Sequence, residues 1–238
     1  MNETAGQPSR GTLADWRPSQ RPARTALEGL WCRLEPLAME HGPGLFEAHA
    51  EDDGSQWRYL PVGPFADLAA YGAWLDAQRI QHDPIHYAVR MEDGRLGGTL
   101  SLLRVDPLAG SAEVGWITYA PRLRATREAS EAVILLARLA FGLGYRRFEW
   151  KCNAANTASR RAAQRFGFSY EGVFRQAAVI KGENRDTAWL AMIDAEAEAL
   201  EAAWSAWLSP GNFDEDGRQR RRLSEMTAGV LVARDPAL

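Results

Sequence analysis

Lysine is nearly missing from this chain. Of its 28 basic side chains only Lys151 and Lys181 are lysines, a skew toward arginine that needs no mechanism of its own. Cysteine is as scarce: Cys32 and Cys152 stand far apart, form no CxxC pair and have no His or Asp placed to activate a thiolate. A disulfide scaffold and a thiol redox centre are thereby excluded, and a reduced, cytoplasmic setting is expected. No apolar run approaches the ~20 residues a membrane-spanning helix needs. Residues 1–29 also lack the basic-then-apolar layout of a secretory leader. There is no GxxxxGK followed by Ser or Thr, no GxGxxG after a strand, no HExxH and no Cys/His group at metal-ligand spacing. The four histidines, His41, His49, His82 and His86, are scattered, and none is expected to be catalytic.

What is present is an ordinary soluble composition, 46% hydrophobic and 25% charged, in 238 residues, enough for one well-buried core. A net charge of −3 argues against a dedicated nucleic-acid binder. Arg10, Arg17, Arg21 and Arg24, and the run RQRRR at 218–222, read as solvated tails and secondarily as weak contacts to an acidic partner. Residues 1–29, rich in Pro, Ser and Gly, read as a disordered or draped arm, and 209–238 as a loose tail.

Between the tails, 30–208 reads as one domain. LWCRLEPLA (30–38) alternates like a strand, HGPGLFEAHAEDDG (41–54) holds a short helix, and 65–80 carries apolar residues at helical spacing. Residues 86–105 form a hairpin about Asp93-Gly94, a dipeptide that takes positive φ cheaply. A strand over 111–120, a helix over 125–144 and a strand over 145–152 follow. After them come a helix over 156–168, a hairpin over 174–194 turned at Lys181–Asn184, and a last helix over 195–208. This order predicts an α+β (mixed α/β) fold with one central sheet and helices on both faces.

One junction stands out. EVGWITYAPRLRATREASEA (113–132) runs a strand into Pro121, then sets Arg122, Arg124 and Arg127 where a helix begins. A helix start offers unpaired N–H groups and partial positive charge, a site for anions. Arginines there cost about 0.3–1 kcal/mol each against the dipole. Three together, beside the small residues Ala125, Thr126, Ala129 and Ser130, point to an anionic, phosphate-bearing ligand.

This junction and its sequel resemble the GNAT superfamily of acetyl-CoA-dependent N-acetyltransferases, in particular the branch of ribosomal-protein alanine acetyltransferases and their bacterial relatives. The resemblance covers about residues 30–194. The family's phosphate loop, Q/R-x-x-G-x-G/A, is matched by Arg124, Ala125, Thr126, Arg127, Glu128 and Ala129, with Arg127 in place of the usual Gly. AANTASRRAAQRFGFSYEG matches the branch's N-x-x-S, GF and EG pattern, and FRQAAVIKGENRDTAWLAMID its closing strands.

The resemblance implies a splayed strand at Gly115–Tyr119, whose Trp116, Ile117, Thr118 and Tyr119 backbone pairs with the pantetheine arm of acetyl-CoA. It implies that the amides of 124–129 cradle the pyrophosphate, with Arg122 and Ser130 adding contacts; Arg127, where this chain departs from the family, either crowds the cofactor or, the favoured expectation, swings its guanidinium outward onto a phosphate. Asn156 would bond the pantetheine region; it reads equally as a helix cap. Acetyl transfer needs a neutral amine, an oriented thioester and a proton for the leaving thiolate. Glu113 is the expected base, through water, against the plainer reading of a strand carboxylate. Many relatives carry an acidic Tyr where this chain has Ala163, so Ser159 is the expected partner of the thiolate, unless it only caps its helix. Ala178 replaces a Glu of some ribosomal-protein relatives. Trp57, Arg58 and Tyr59 are candidates for the acceptor side. The implied acceptor is an amine, on a small molecule or a protein N-terminus; nucleic acid, membrane and metal are not expected. The protein would be a monomer or a homodimer, with Trp204 and Trp207 as an interface or a packing face.

Overall fold

The structure, a computed structural model, describes residues 13–238; Arg10 and the rest of the arm's first part lie outside the described residues. Eight strands form one sheet: β1 (Leu27–Glu28), β2 (Cys32–Pro36), β3 (Ile85–Met91), β4 (Leu96–Asp106), β5 (Ser111–Tyr119), β6 (Arg147–Asn153), β7 (Ser169–Ile180) and β8 (Glu183–Ile193). Their spatial order is β1-β2-β3-β4-β5-β6-β8-β7. Every neighbouring pair is antiparallel except β5 and β6, which run parallel. A parallel pair requires a crossover, and α3 (Arg127–Gly142) supplies it.

Period-two alternation along the strands sends alternate residues to two different layers. Leu34, Tyr87, Val89, Leu100, Leu102, Val114 and Phe148 face the larger core under α3, α4 (Thr157–Phe166), α5 (Ala197–Leu208) and α6 (Leu223–Met226). On the other face α1 (Gly42–Ala50) and α2 (Leu68–Arg79) cover a smaller one built from Leu37, Leu45, Tyr71, Leu75, Ala88 and Leu96. The mixed α/β architecture is the one the element order predicts.

Helix ends follow local chemistry. The Thr126 side chain accepts from Ala129 N–H and Asn156 from Ser159 N–H, so α3 and α4 each begin on an oxygen cap. Ala125 lies at φ +61°, which is why α3 starts two residues later than its apolar period suggests. Gly167, at φ +103°, ends α4; a Cβ there would also meet Leu200 Cδ2 at 2.3 Å. Gly94, at φ +81°, turns the β3–β4 hairpin as its sequence predicts. The closing hairpin differs in one respect. β7 already begins at Ser169, with register shifts between Tyr170 and Gly172 and between Phe174 and Ala178 that the alternation does not reveal.

The segment 209–238, expected to be a loose tail, is bound to the body. Leu223 is fully buried, Val232 N–H donates to Ser169 Oγ (3.0 Å), and Tyr170 N–H donates to Ala233 O (3.1 Å). Arg160 grips the buried Asp235 through Nε and Nη2 (2.6 and 2.5 Å). Polar anchors do the ordering, and these leave no apolar period in a sequence. The described part of the arm is draped in the same manner: Trp16 Nε1 donates to Leu108 O (3.0 Å) and Tyr145 Oη to Gln20 O (3.1 Å).

Asp235→Ala would strand a buried guanidinium, and unfolding in urea should then show a loss of about 3–5 kcal/mol. A loss below about 1 kcal/mol would mean that the C-terminal segment is an accessory.

Candidate functional site

The sheet opens at its centre. β5 and β6 pair in register from Ser111↔Arg147 to Val114↔Trp150, and there the pairing stops. Beyond that point Lys151–Asn153 pairs with β8 alone, while β5 pairs with β4 alone. The cause lies on β5. Thr99 faces Thr118 and Ser101 faces Gly115, so one residue of β4 opposes both Trp116 and Ile117. Trp116 takes φ +51° to absorb the extra residue, and this bulge turns β5 away from β6. Each strand is left with a bare edge of peptide groups facing the gap.

At the end of the gap stands the start of α3. Backbone N–H groups of Arg124 and Thr126 bond to Ala120 O and Leu123 O, and Thr126 Oγ1 takes that of Ala129. Those of Ala125, Arg127 and Glu128 have no partner among the described residues. The small side chains of Ala125 and Ala129 leave the backbone open to a ligand.

The arginines behave otherwise than their spacing suggests. Arg122 pairs with Glu51, and Arg124 with Asp52 and with Tyr119 O (2.8 Å). Arg127 turns away from the loop: its Cζ stacks 3.7 Å from the Trp31 ring centroid, and Nη2 pairs with Glu92 (2.8 Å). An aromatic face and a carboxylate hold Arg127, so it would have to release both to swing onto a phosphate. Carboxylates of the protein already offset the cost of three cations at a helix start, so the arginine count alone does not argue for a phosphate. Ser130 is likewise engaged, donating to Thr126 O (3.0 Å) and accepting from Arg165 Nη1 (2.9 Å).

The other sequence candidates divide. Ser159, in the first turn of α4, accepts from Trp150 Nε1 (2.9 Å), which leaves its O–H to donate elsewhere, the Cys152 thiol being one neighbour in reach. Asn156 caps the same helix with its carbonyl oxygen. Ala163 is fully buried in the core. Thr118 is buried against Thr99 (Oγ1 to Oγ1, 2.6 Å), Tyr119 Oη donates to Ala129 O (3.2 Å), and Ile117 packs on the larger core. Glu113 points to the α1–α2 face, where it meets Lys151 Nζ (2.9 Å) and Arg104 Nε (3.0 Å). Burial raises its carboxyl above the usual range, against the pull of Lys151. Lys151 in turn bonds Glu149 (2.5 Å) and lies 3.8 Å from the Trp189 ring centroid.

Over the gap runs the α1–α2 connection. Its start is tied to the helix junction by Glu51 and Asp52, and its far part to the β7–β8 turn, where Lys181 Nζ donates to Trp57 O (2.8 Å) and Gly63 O (2.7 Å). Beneath it the sequence reading missed a set of rings. His49 meets Trp57 (5.1 Å) and Tyr71 (5.7 Å), Tyr71 meets Trp74 (5.6 Å), Trp74 meets His86 (6.0 Å), and His86 meets Trp116 on the bulge (5.9 Å). Tyr71 Oη, Trp74 Nε1 and His86 Nε2 are buried with no hydrogen-bond partner, at about 1–3 kcal/mol each when nothing meets them. Burial lowers both His49 and His86 to about 4, so both are neutral at pH 7. The signal was available in part: His86 alternates with Tyr87 and Val89, so it had to face the opposite layer. The meeting with α2 was not.

Among the described residues no helix is long and apolar enough to cross a membrane, and no cluster of His, Cys, Asp or Glu could hold a metal.

The acetyltransferase (GNAT) domain family matches over residues 32–169. A GCN5-related N-acetyltransferase from Brucella melitensis is 43% identical, with 90% of this chain and 99% of that one covered at a TM-score of 0.88. A probable acetyltransferase of the GNAT family from Chromobacterium violaceum is 41% identical, covering 83% and 100% at 0.75. An acetyltransferase from Salmonella typhimurium, described as modifying the N-terminal serine of ribosomal protein L7/L12, shares the fold at 20% identity, covering 71% and 98% at 0.62. No curated protein matches at a significant level.

Two outcomes follow from the charges and the burial. Arg127→Ala should cost about 1–2 kcal/mol of stability through the lost stacking on Trp31 and the lost pair with Glu92. It should leave acetyl-CoA affinity within about twofold in calorimetry; a weakening of tenfold or more, about 1.4 kcal/mol, would restore the phosphate role. The second outcome concerns acid. The folded pKa of His49, about 4, lies below the ordinary 6.5, so between those values the unfolded chain binds the extra proton and stability falls as pH falls. In His49→Leu the stability lost between about pH 7 and pH 4.5 should shrink by about 2 kcal/mol in chemical denaturation.

Proposed function

The chain belongs to the acetyltransferase (GNAT) domain family, and from that premise we propose that it moves an acetyl group from acetyl-CoA to a primary amine by direct attack within a ternary complex. One observation carries the reading. The bare edges of β5 and β6 open beside a helix start whose Ala125, Arg127 and Glu128 N–H groups are free. An extended pantetheine arm would complete the β5 edge as a strand would, and a diphosphate would meet the free N–H groups. Arg122 and Arg124 would reach a phosphate only by releasing Glu51 and Asp52.

Acetyl-CoA supplies the acyl group as a thioester. The chain's own part is to orient, to take a proton from the amine and to meet the departing sulfur. Ser159 is proposed for the last role. Its oxygen accepts from Trp150 Nε1, so its proton is available to the thiolate. Being a weak acid, Ser159 stabilises chiefly by hydrogen bonding. Glu113 is proposed to take the amine's proton through water: it is on the α1–α2 face, just before the strands part. Asn156 is proposed to offer its amide N–H to the pantetheine while its carbonyl caps α4. The acceptor is an amine on a small molecule or a protein N-terminus. The Salmonella relative's described action on an N-terminal serine supports the second only as a likeness of fold. Residues 30–208 are proposed as the transferring unit, with the described flanking residues 13–29 and 209–238 packed on it, in a monomer or homodimer of the cytoplasm.

Thiol release from acetyl-CoA, followed across a panel of amines, tests the reading. Ser159→Ala should lower kcat about 10- to 100-fold with KM for acetyl-CoA little changed, and Glu113→Gln should lower it at neutral pH more than at pH 9. Acetyl-CoA binding without thiol release for any amine would leave a binding module; wild-type turnover in both variants would remove both assignments.

A further inference from the structure

Three charged side chains of β5 and β6 share one face of the sheet at the point where the strands part. Parallel pairing sets Glu113 opposite Glu149. Period-two alternation then puts both carboxylates, and Lys151 two residues past Glu149, on the same side. Like charges directly opposite one another destabilise a sheet. Here one ammonium answers both, for Lys151 Nζ lies 2.9 Å from Glu113 Oε2 and 2.5 Å from Glu149 Oε2. The three side chains are largely out of water, at 7% exposure for Lys151, 8% for Glu113 and 13% for Glu149. The Trp189 ring, opposite Lys151 on β8, lies 3.8 Å from the same ammonium.

The two carboxylates are served unequally. Glu149 has a second, close cation in Arg147, whose Nε is 2.6 Å from its Oε1 and which also pairs with Glu171. The second cation of Glu113 is Arg104 at 3.0 Å, whose side chain is 59% exposed and therefore screened by solvent. Both cations of Glu113 approach Oε2. Its other oxygen, Oε1, is directed at Gly115, 3.5 Å from where a Cβ would stand there. Gly115 is the first residue of β5 beyond its last pair with β6, so Oε1 is the oxygen turned toward the opening. The electrostatics agree with this division: burial raises the Glu113 carboxyl against the pull of Lys151, whereas at Glu149 burial is outweighed by Arg147 and Lys151 together.

Resting on the acetyl-transfer reading above, we propose that Lys151 is the positioning residue of the base: it grips Oε2 of Glu113, keeps that side chain a carboxylate and leaves Oε1 to take the proton. Glu149 is the second positioning residue, since it competes for the same ammonium and so sets how much of its charge Glu113 receives. In transfer, the amine nitrogen bonds to the carbonyl carbon, the C–S bond breaks, and the sulfur departs as thiolate toward Ser159. The nitrogen's proton passes through water to Glu113 Oε1. Lys151 keeps its own proton throughout and touches no reacting atom.

Titration of a single carboxyl tests this apart from turnover. The full chain, isotope-labelled at the Glu carboxyl carbons, is followed by NMR across pH, and the Glu113 signal is the one missing from Glu113→Gln. Lys151→Met should raise the Glu113 midpoint by about one pH unit or more. Glu149→Gln should lower it by about half a unit, because the ammonium then serves Glu113 alone. Lys151→Arg, which keeps the charge, should hold it within about half a unit of wild type. If Lys151→Met fails to fold, its double variant with Glu149→Gln replaces it and should still raise the midpoint. The acid limb of kcat/KM for thiol release should follow in the same two directions, with KM for acetyl-CoA within about twofold; the amine's own titration is common to all variants. A Glu113 midpoint unmoved by Lys151→Met or the double variant, or moved the same way by Lys151→Met and Glu149→Gln, would overturn the proposal. Midpoints that move as expected beneath an unmoved rate profile would uphold the hold of Lys151 on Glu113 and remove Glu113 as the base of the transfer reading.

Discussion

A sheet strand seeks two neighbours, and here two central strands are each denied one. The rest of the site depends on that denial. β6 is held by β8 along its whole length, through Lys151↔Trp189, Cys152↔Ala188 and Asn153↔Thr187, so it cannot follow β5. β5 in turn is drawn toward β4 by the bulge at Trp116. Neither strand can close the gap without undoing a ladder on its other side. The peptide edges at the opening are therefore held apart by the fold itself and not by a loop that could relax. The groups proposed for the chemistry are arranged around them: the helix start at one end, Ser159 on the β6 side, and Glu113 at the closed end.

Charge is used mainly for construction. The Glu131 carboxylate, buried in the middle of α3, accepts from the N–H groups of Leu30, Trp31 and Cys32 at 2.7, 2.6 and 2.8 Å. It fixes the turn between β1 and β2 as an oxyanion hole fixes an anion, with the roles reversed. Trp31 so placed offers its face to Arg127. One buried carboxylate thus sets the ring on which the Arg127 guanidinium rests. The tightly paired Lys151 and Arg160 follow the same rule: each of these two buried cations is met by carboxylates.

How much of this could be read from the chain depends on the range of the interaction. Caps, turns and alternation act within a few residues, and so the helix starts at Thr126 and Asn156 and the turn at Gly94 were legible. The order of motifs carried the fold, and with it the opening at Gly115–Tyr119. What failed was partnership across distance. Arg122, Arg124 and Arg127 stand together in sequence, but their carboxylates, Glu51, Asp52 and Glu92, come from 35 to 72 residues away. The C-terminal segment looked loose because Asp235 reveals nothing until Arg160 is beside it. His49 and His86, dismissed as scattered, are linked through Tyr71 and Trp74 only when α2 lies across β3.

The connection above the gap is fastened differently on its two sides. Toward the helix junction the fasteners are pairs of full charges, Arg122 with Glu51 and Arg124 with Asp52. Toward the β7–β8 turn the fastener is one ammonium on two neutral carbonyls, those of Trp57 and Gly63. The first kind is sheltered from dissolved ions by the burial of Arg122 and Asp52. The two margins of this cover are thus held by different forces, opposite charges on one side and an ammonium on peptide dipoles on the other.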